Sequence, residues 1–429
     1  MPVTIVLGGQ WGDEGKGKII DALAKDADVV VRANGSANAG HTVVTDEGVF
    51  KFRLIPSGIL HPGCICVIGA GVALDPATVL EEVQQLRDRG VPAQNLRISS
   101  RCHLIMPYHP LQDRLEEESR GADMIGTTQR GNGPCYADKA SRRGIRVADI
   151  LDPEHLHRRL EPVLREKNAF LSGVYGHRGL DPAEIAEQYA AFGEQLAPFV
   201  TETELLVQDA IDAGRNVIIE GAQAAMLDID YGTYPFVTSS SPTAAGVCQG
   251  AGIAPTQVDR VIGVYKAYLT RVGAGAFPTE LHEEPGDTLR ERGAEFGTVT
   301  GRPRRTGWFD AVQARFTARL NGLTEIALTK FDILDGVDPV QLCTGYQVHG
   351  EAVGAPPALI TDYDQVEPIM ENVEGWPEGS SSATSRTAMP ESARRYIERV
   401  EAEVGVPVTF IGVGQHRDQL IRDATPSQV

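Results

Sequence analysis

The beginning of the chain constrains the fold most. Val3 to Leu7 is an unbroken apolar run that ends in Gly8-Gly9-Gln10-Trp11-Gly12-Asp13-Glu14-Gly15-Lys16-Gly17-Lys18, and helical spacing continues from Lys18 to Ala24. That pattern predicts a strand, a glycine loop and a helix. Glycines let backbone N–H groups approach an anion closely, and the helix N-terminus adds partial positive charge. Gly12 to Lys18 fits the GxxxxGK spacing of a phosphate loop. Ile19 stands where that motif carries Ser or Thr, so Mg²⁺ would need another oxygen ligand, and Asp13 is the nearest carboxylate. Either Lys16 or Lys18 supplies the full positive charge.

Similar units follow. Asp28 to Arg32 reads as a strand leading into a second glycine-rich loop, Asn34 to Thr42. Val43 to Leu54 reads as a hairpin turning at Asp46-Glu47-Gly48, Cys64 to Ile68 as a buried strand, and Pro76 to Arg89 as a helix stopped by Gly90. Segment 152–213 has helical spacing and reads as a helical insertion. Asn216 to Glu220, Val261 to Leu269, Thr324 to Thr329 and Val406 to Ile411 read as strands. A β-rich segment spans roughly 337–375, and Glu391 to Val404 reads as a helix. The expectation is a single α/β domain over 1–429 with a mostly parallel central sheet, a phosphate loop and small β-rich subdomains. Ligand loops should lie at the carboxyl ends of the strands.

Composition narrows the function. With 40 basic and 58 acidic residues the net charge is −18, which argues against a general nucleic-acid binder. It leaves room for a phosphorylated small molecule held by a local cluster of Lys and Arg. Hydrophobic residues make up 42%, enough to bury a large core. No apolar stretch is long enough to span a membrane, and the N-terminus is not a signal peptide. Cys64, Cys66, Cys102, Cys135, Cys248 and Cys343 lack the spacing of a metal site, so buried reduced thiols and a cytoplasmic location are expected.

Further loops carry chemistry. Asn38-Ala39-Gly40-His41-Thr42 follows the second strand, and two loops from neighbouring strands would bring Asp13 and His41 to one phosphate site as an acid/base pair. Thr329-Lys330-Phe331-Asp332 ends a strand. Its carboxylate can accept from guanine N1–H and the 2-amino group, a donor pair that adenine lacks. Gly301-Arg302-Pro303-Arg304-Arg305 suggests an anion clamp. Gly126 to Pro134, followed by Lys139 and Arg142-Arg143, suits a phosphate but would serve equally as a surface loop. Gln223 follows the strand ending at Glu220 and could read a base edge, while Thr238 to Ser241 offer hydroxyls.

Together these segments resemble the adenylosuccinate synthetase family. The resemblance rests on QWGDEGKGK (10–18), NAGHT (38–42), LIPSGIL (54–60), the 126–134 loop, ADKASRRGIRV (137–147), EGAQ (220–223), LDIDYGTYPFVTSS (227–240), KAYLTRVGAGAFPTE (266–280), the 300–308 segment, LTKFDILDG (328–336) and FIGVGQHRD (410–418). Ser36, Gln129, Asn132, Ala224, Val299 and Pro303 depart from the family's usual motifs.

The resemblance implies GTP- and Mg²⁺-dependent ligation of IMP and L-aspartate through 6-phosphoryl-IMP. It implies catalytic roles for Asp13, His41, Gln223 and Lys16, and one Mg²⁺ on Asp13 and the Gly40 carbonyl. GTP would meet Gly12, Asp13, Glu14, Gly15, Lys16, Gly17, Lys18, Gly40, His41, Thr42, Arg304, Lys330, Phe331, Asp332, Gly412, Val413 and Gly414. IMP would meet Asp13, Glu14, Gly15, Lys16, Asn38, Ala39, Gly40, His41, Thr128, Gln223, Thr238 and Arg302. Aspartate would meet Val272, Thr298, Val299, Thr300, Gly301, Arg302 and Arg304. Arg142 would reach the IMP of a neighbouring subunit in a homodimer. Two alternatives stand beside this: a paralogue using another purine monophosphate or amino acid, and a GTP-binding regulator without ligase activity.

Overall fold

Strands buried on both faces read as continuous apolar runs, and this chain has several. The computed structural model describes residues 2–38, 40–121, 124–297, 301 and 303–423. In chain order the central sheet comprises β1 (Val3–Gly8), β2 (Val29–Arg32), β3 (Ile65–Ile68), β4 (Leu96–Ser99), β5 (Val200–Thr201), β6 (Val217–Glu220), β7 (Arg260–Lys266), β8 (Glu325–Thr329), β9 (Val408–Gly412) and β10 (Leu420–Arg422). Across the sheet the order is β10-β9-β8-β7-β1-β6-β2-β3-β4-β5. All pairings are parallel except β9 with β10.

Alternate residues feed two layers. Val6, Val30 and Ile218 join Ile19 and Ile20 of helix α1 (Lys16–Ala24) in one core. Ile5, Val31 and Ile219 join Val207 and Val247 from the helices Thr203–Asp212 and Ala244–Ala251 on the other face. A third core gathers β8, β9 and the helices Ala311–Asn321 and Glu391–Val404. Each buried aliphatic side chain contributes about 1.5–3 kcal/mol. A sheet anchored this firmly tolerates charged residues at its strand ends.

Three local readings change. Helix α1 starts at Lys16, not Lys18, so the loop before it is shorter. The run from Val261 to Leu269 divides: β7 stops at Lys266, and Leu269–Arg271 pairs instead with Arg305–Gly307 in a separate antiparallel sheet. Within 152–213, helices Pro153–Tyr175 and Pro182–Leu196 start at Asp152 and Asp181, whose carboxylates accept from the first-turn N–H groups. The same segment then supplies the edge strand β5 and the sheet-covering helix Thr203–Asp212. A two-residue strand is too short to show a period in sequence. In the β-rich region, Val340–Val348 pairs with Glu351–Val353 and Glu367–Val373. All six cysteines are buried and unpaired. Among the described residues no helix is long and apolar enough to cross a membrane.

Candidate functional site

The loops that follow β1, β2, β6, β8 and β9 all emerge at the carboxyl edge of the sheet, where open α/β sheets bind ligands. β1 and β2 are not neighbours, contrary to the sequence reading, because β6 lies between them. The loop carrying Gln223 therefore sits between the loops carrying Asp13 and His41. The three loops are in contact. A Cβ on Gly17 would stand 3.2 Å from His41 Cβ, and one on Gly8 would stand 2.7 Å from the Gln223 carbonyl.

Asp13 (φ 59°), Gln223 (φ 58°) and Lys330 (φ 57°) are all left-handed, as are Gln129 and Arg142. Such conformations cost side-chain-bearing residues about 1 kcal/mol or more and persist where the surroundings impose them. Three of them at the ends of β1, β6 and β8 mark this edge as built for a purpose other than stability.

Inside the first loop, the Glu14 carboxylate is fully buried. It accepts from Gln10 N at 3.2 Å and Gly12 N at 2.8 Å, and pairs with Lys16 Nζ at 2.5 Å. Glu14 thus shapes the loop from within. Thr329 Oγ1 donates to the Glu14 carbonyl at 2.5 Å, tying β8 to the phosphate loop. Of the two lysines left open by the sequence, Lys18 turns away: its ammonium donates to the carbonyls of Gly414 at 2.7 Å and Gln419 at 2.6 Å. Burial lowers its pKa to about 8 against the opposing pull of Asp332. Lys16 is the lysine that remains with the loop.

His41 opens the hairpin of His41–Thr45 and Gly48–Phe52. Arg32 Nη1 lies 3.2 Å from His41 Nδ1 and donates to Glu220 Oε1 at 3.0 Å. The other Glu220 oxygen accepts from Ser57 N at 3.0 Å. Burial pushes the His41 pKa down to about 4, so the imidazole is neutral near pH 7. Its Nε2 is buried 4.0 Å from Glu220 Oε1, with no hydrogen-bond partner among the described residues.

Gln223 is held at both ends. Its Nε2 donates to Asn38 Oδ1 at 3.1 Å, and Ser240 Oγ donates to its Oε1 at 3.1 Å. Ser240 leads to Thr238 at 3.5 Å, and Asn132 Nδ2 donates to Thr238 Oγ1 at 3.4 Å. This links Asn38, Gln223, Thr238 and the departing residue Asn132. The loop before Asn132 is laid on helix Tyr108–Arg120 by two acids. Glu117 accepts from the N–H groups of Ile125, Gly126 and Thr127, and Asp113 from Thr127 Oγ1 and Gly131 N. Thr128 itself is exposed.

A second charged cluster lies across β7 and β8. Glu295, fully buried, receives Lys266 Nζ at 2.9 Å, Arg304 Nη1 at 2.6 Å and the Tyr268 hydroxyl at 2.6 Å, with Lys330 Nζ at 3.6 Å. Burial alone would raise its pKa, but Lys266, Lys330 and Arg304 together bring it down to about 2. Arg304 Nε is also 2.9 Å from Asp13 Oδ2, so the proposed base is ion-paired across the crevice. Beyond it, Asp332 Oδ1 is buried with no hydrogen-bond partner among the described residues, and burial raises the pKa of that carboxyl. Phe331 turns into the core, stacked on Trp376 at 4.7 Å, and Val413 is buried in the same core. Gly412, just before Val413, ends β9.

Ala39, Thr298, Val299, Thr300 and Arg302 lie outside the described residues. Arg142 and Val272 are exposed, and Gly301 has a positive φ of 65°. Arg142 makes no ion pair among the described residues. Gly40 and Thr42 flank His41 at the start of the hairpin. The sequence reading assigned no role to Arg32, Glu220, Lys266 or Glu295. The first three had a signal, a charge closing an otherwise apolar strand (VVVR, VIIE, VIGVYK). Glu295 had none, since nothing in the order of residues places it against Lys266.

The family model of adenylosuccinate synthetase matches residues 5–421. An adenylosuccinate synthetase of Thermomicrobium roseum is 60% identical over 423 residues, covering 98% of each chain. One of Carboxydothermus hydrogenoformans is 52% identical over 421 residues, covering 98% of this chain and 99% of its own. Among solved structures, the fully ligated adenylosuccinate synthetase of Plasmodium falciparum superposes with a TM-score of 0.92 at 36% identity, covering 99% of this chain and 100% of that one.

Proposed function

The chain belongs to the adenylosuccinate synthetase family, which joins IMP to L-aspartate at the expense of GTP, and on that premise we propose how its residues divide the work. The observation that carries the assignment is the meeting of Asp13, His41 and Gln223 at one sheet edge that also carries Asp332, whose buried Oδ1 has no hydrogen-bond partner among the described residues. The chain thus acts as a GDP-forming carbon–nitrogen ligase in the synthesis of AMP.

Asp13 takes the N1 proton of IMP. The 6-oxygen then attacks the γ-phosphorus of GTP, GDP leaves, and 6-phosphoryl-IMP forms. The amino group of aspartate attacks C6 and phosphate departs. A carbonyl oxygen is a poor leaving group, and phosphorylation makes it a good one. The ion pair to Arg304 holds the Asp13 carboxylate in the crevice. His41, neutral, donates a hydrogen bond to the phosphates and stabilises charge developing on GDP. Gln223, fixed by Asn38 and Ser240, orients the purine. Lys16 and the loop N–H groups offset phosphoryl charge, and Asp332 reads guanine. Glu14, Phe331 and Lys18 serve this site by holding its walls.

Asp13 and the Gly40 carbonyl are hard oxygen donors at the crevice, which suits Mg²⁺. Such an ion would neutralise charge on the GTP phosphates. Arg142, exposed and left-handed at the end of helix Asn132–Ala140, suits a contact with the IMP of a second copy in a homodimer. The enzyme would work in the cytoplasm. The test is product absorbance with IMP, GTP, Mg²⁺ and L-aspartate, each omitted in turn. Product that needs all four supports these assignments. Product from another purine monophosphate or amino acid overturns them.

A further inference from the structure

Arg32 is an odd partner for Glu220 if its purpose is only an ion pair. The two residues occupy matched positions on adjacent parallel strands, so their side chains emerge side by side at the same height. Both are almost wholly buried. An arginine and a carboxylate placed this way would gain most from two parallel hydrogen bonds. Instead one nitrogen, Nη1, serves both Glu220 Oε1 at 3.0 Å and His41 Nδ1 at 3.2 Å, while Nε and Nη2 have no hydrogen-bond partner among the described residues. The guanidinium bridges the carboxylate to the imidazole.

That bridge has a chemical consequence. A guanidinium can only donate, so the His41 nitrogen facing it must accept. In a neutral ring the proton then resides on the other nitrogen, Nε2, which lies 4.0 Å from Glu220 Oε1 and makes no hydrogen bond among the described residues. We propose that Arg32 is a positioning residue that fixes His41 in the tautomer protonated at Nε2, with Glu220 and the Ser57 N–H holding the guanidinium in place. A hydrogen bond from His41 to a nucleotide phosphate requires a donor nitrogen. An imidazole free to exchange tautomers would present an acceptor part of the time. The proposal deepens the ligase reading and rests on it for the consequence in catalysis, but the tautomer itself does not depend on that reading.

The test uses the full-length protein with ¹⁵N-labelled histidine. Long-range proton–nitrogen correlation spectra distinguish the protonated ring nitrogen from the bare one, and the His41 signals are identified by their loss in His41→Gln. In the unsubstituted protein Nε2 should carry the proton and Nδ1 should be bare. Arg32→Met removes the donor, and the His41 signals should move toward a mixture of tautomers. In steady-state assays kcat should fall about tenfold while KM for GTP stays within about twofold. Arg32→Met leaves Glu220 without its partner, so the double variant Arg32→Met/Glu220→Gln is measured beside it to keep the pocket neutral. Arg32→Lys, whose single ammonium can serve Glu220 or His41, should fall between. A proton on Nδ1 in the unsubstituted protein, or an unchanged His41 spectrum in the double variant, overturns the proposal. If the unsubstituted protein makes no product, the ligase reading falls, and the spectra still decide what Arg32 does.

Discussion

Glu220 and Glu295 are both buried carboxylates at the carboxyl edge of the sheet, and they are surrounded differently. Glu220 answers one cation, Arg32, and that cation reaches on to a neutral imidazole. Glu295 answers Lys266 and Arg304 directly and Lys330 at 3.6 Å, and Arg304 reaches on to a carboxylate, Asp13. On the proposed roles, one cluster directs a hydrogen bond from His41; the other holds the Asp13 carboxylate and the Lys330 loop in place. The difference shows that burial alone does not say what a charged residue is for. Its outer contact does.

The comparison can be broken most sharply at Asp13. Asp13→Asn should lower turnover by about 10³-fold, the scale of a lost general base, with GTP binding by calorimetry changed only a few-fold. Retained turnover would remove Asp13 as the base and leave Arg304 without a catalytic partner.

Stability comes next. Glu295→Leu should cost about 3–5 kcal/mol in urea unfolding, because Lys266 and Arg304 lose their carboxylate partner in a buried site. Adding Lys266→Met should recover most of that loss. Glu220→Leu strands a single cation and should cost less; the reverse order would show that the count of cations is not what separates the two clusters.

The clusters should also fail in different pH windows. His41 has its pKa lowered from 6.5 to about 4, so the unfolded chain takes up that proton first. Its contribution is complete above pH 6.5 and is lost as pH falls toward 4. Glu295 has its pKa lowered from 4.5 to about 2, so its contribution is present above pH 4.5 and is lost as pH falls toward 2. Each is on the order of 3 kcal/mol. Unfolding titrations of His41→Gln should flatten the upper window and those of Glu295→Gln the lower one. His103, lowered to about 4 by burial, and His109, also lowered by burial, add slope of the same sign in the upper window, while Asp310, raised to about 6 by burial, opposes it. A single shared window would mean the clusters titrate as one.

The smallest effect belongs to the guanine end. Asp332→Asn replaces a buried acceptor with a group that also donates. The preference for GTP over ATP should drop about tenfold or more, the worth of hydrogen bonds to a charged group. An unchanged preference in competition assays would move base recognition away from β8.

Local pattern made much of this legible. The runs VTIVLG and EIALT, with glycines or Lys-Phe-Asp after them, announce strand ends and ligand loops because sterics and hydrogen-bonding demand act within a few residues. Asp13, His41, Gln223 and Asp332 are readable for that reason. The helix Glu391–Val404 matches its sequence reading end to end. Short elements such as β5 carry too few residues to show a period, and they form only because β4 offers an edge.

What the amino-acid sequence determined by itself is the set of loops and the chemistry each can offer. What only the tertiary structure decided is which of those groups meet. The insertion of β6 between β1 and β2 puts Gln223 between the acid and the imidazole. The parallel register sets Glu220 beside Arg32, 188 residues apart in the chain. The Glu295 loop closes on Lys266, 29 residues away. Charges taken out of water must find partners wherever the packed chain brings them, and that search is settled by strand order and register, which no local pattern records.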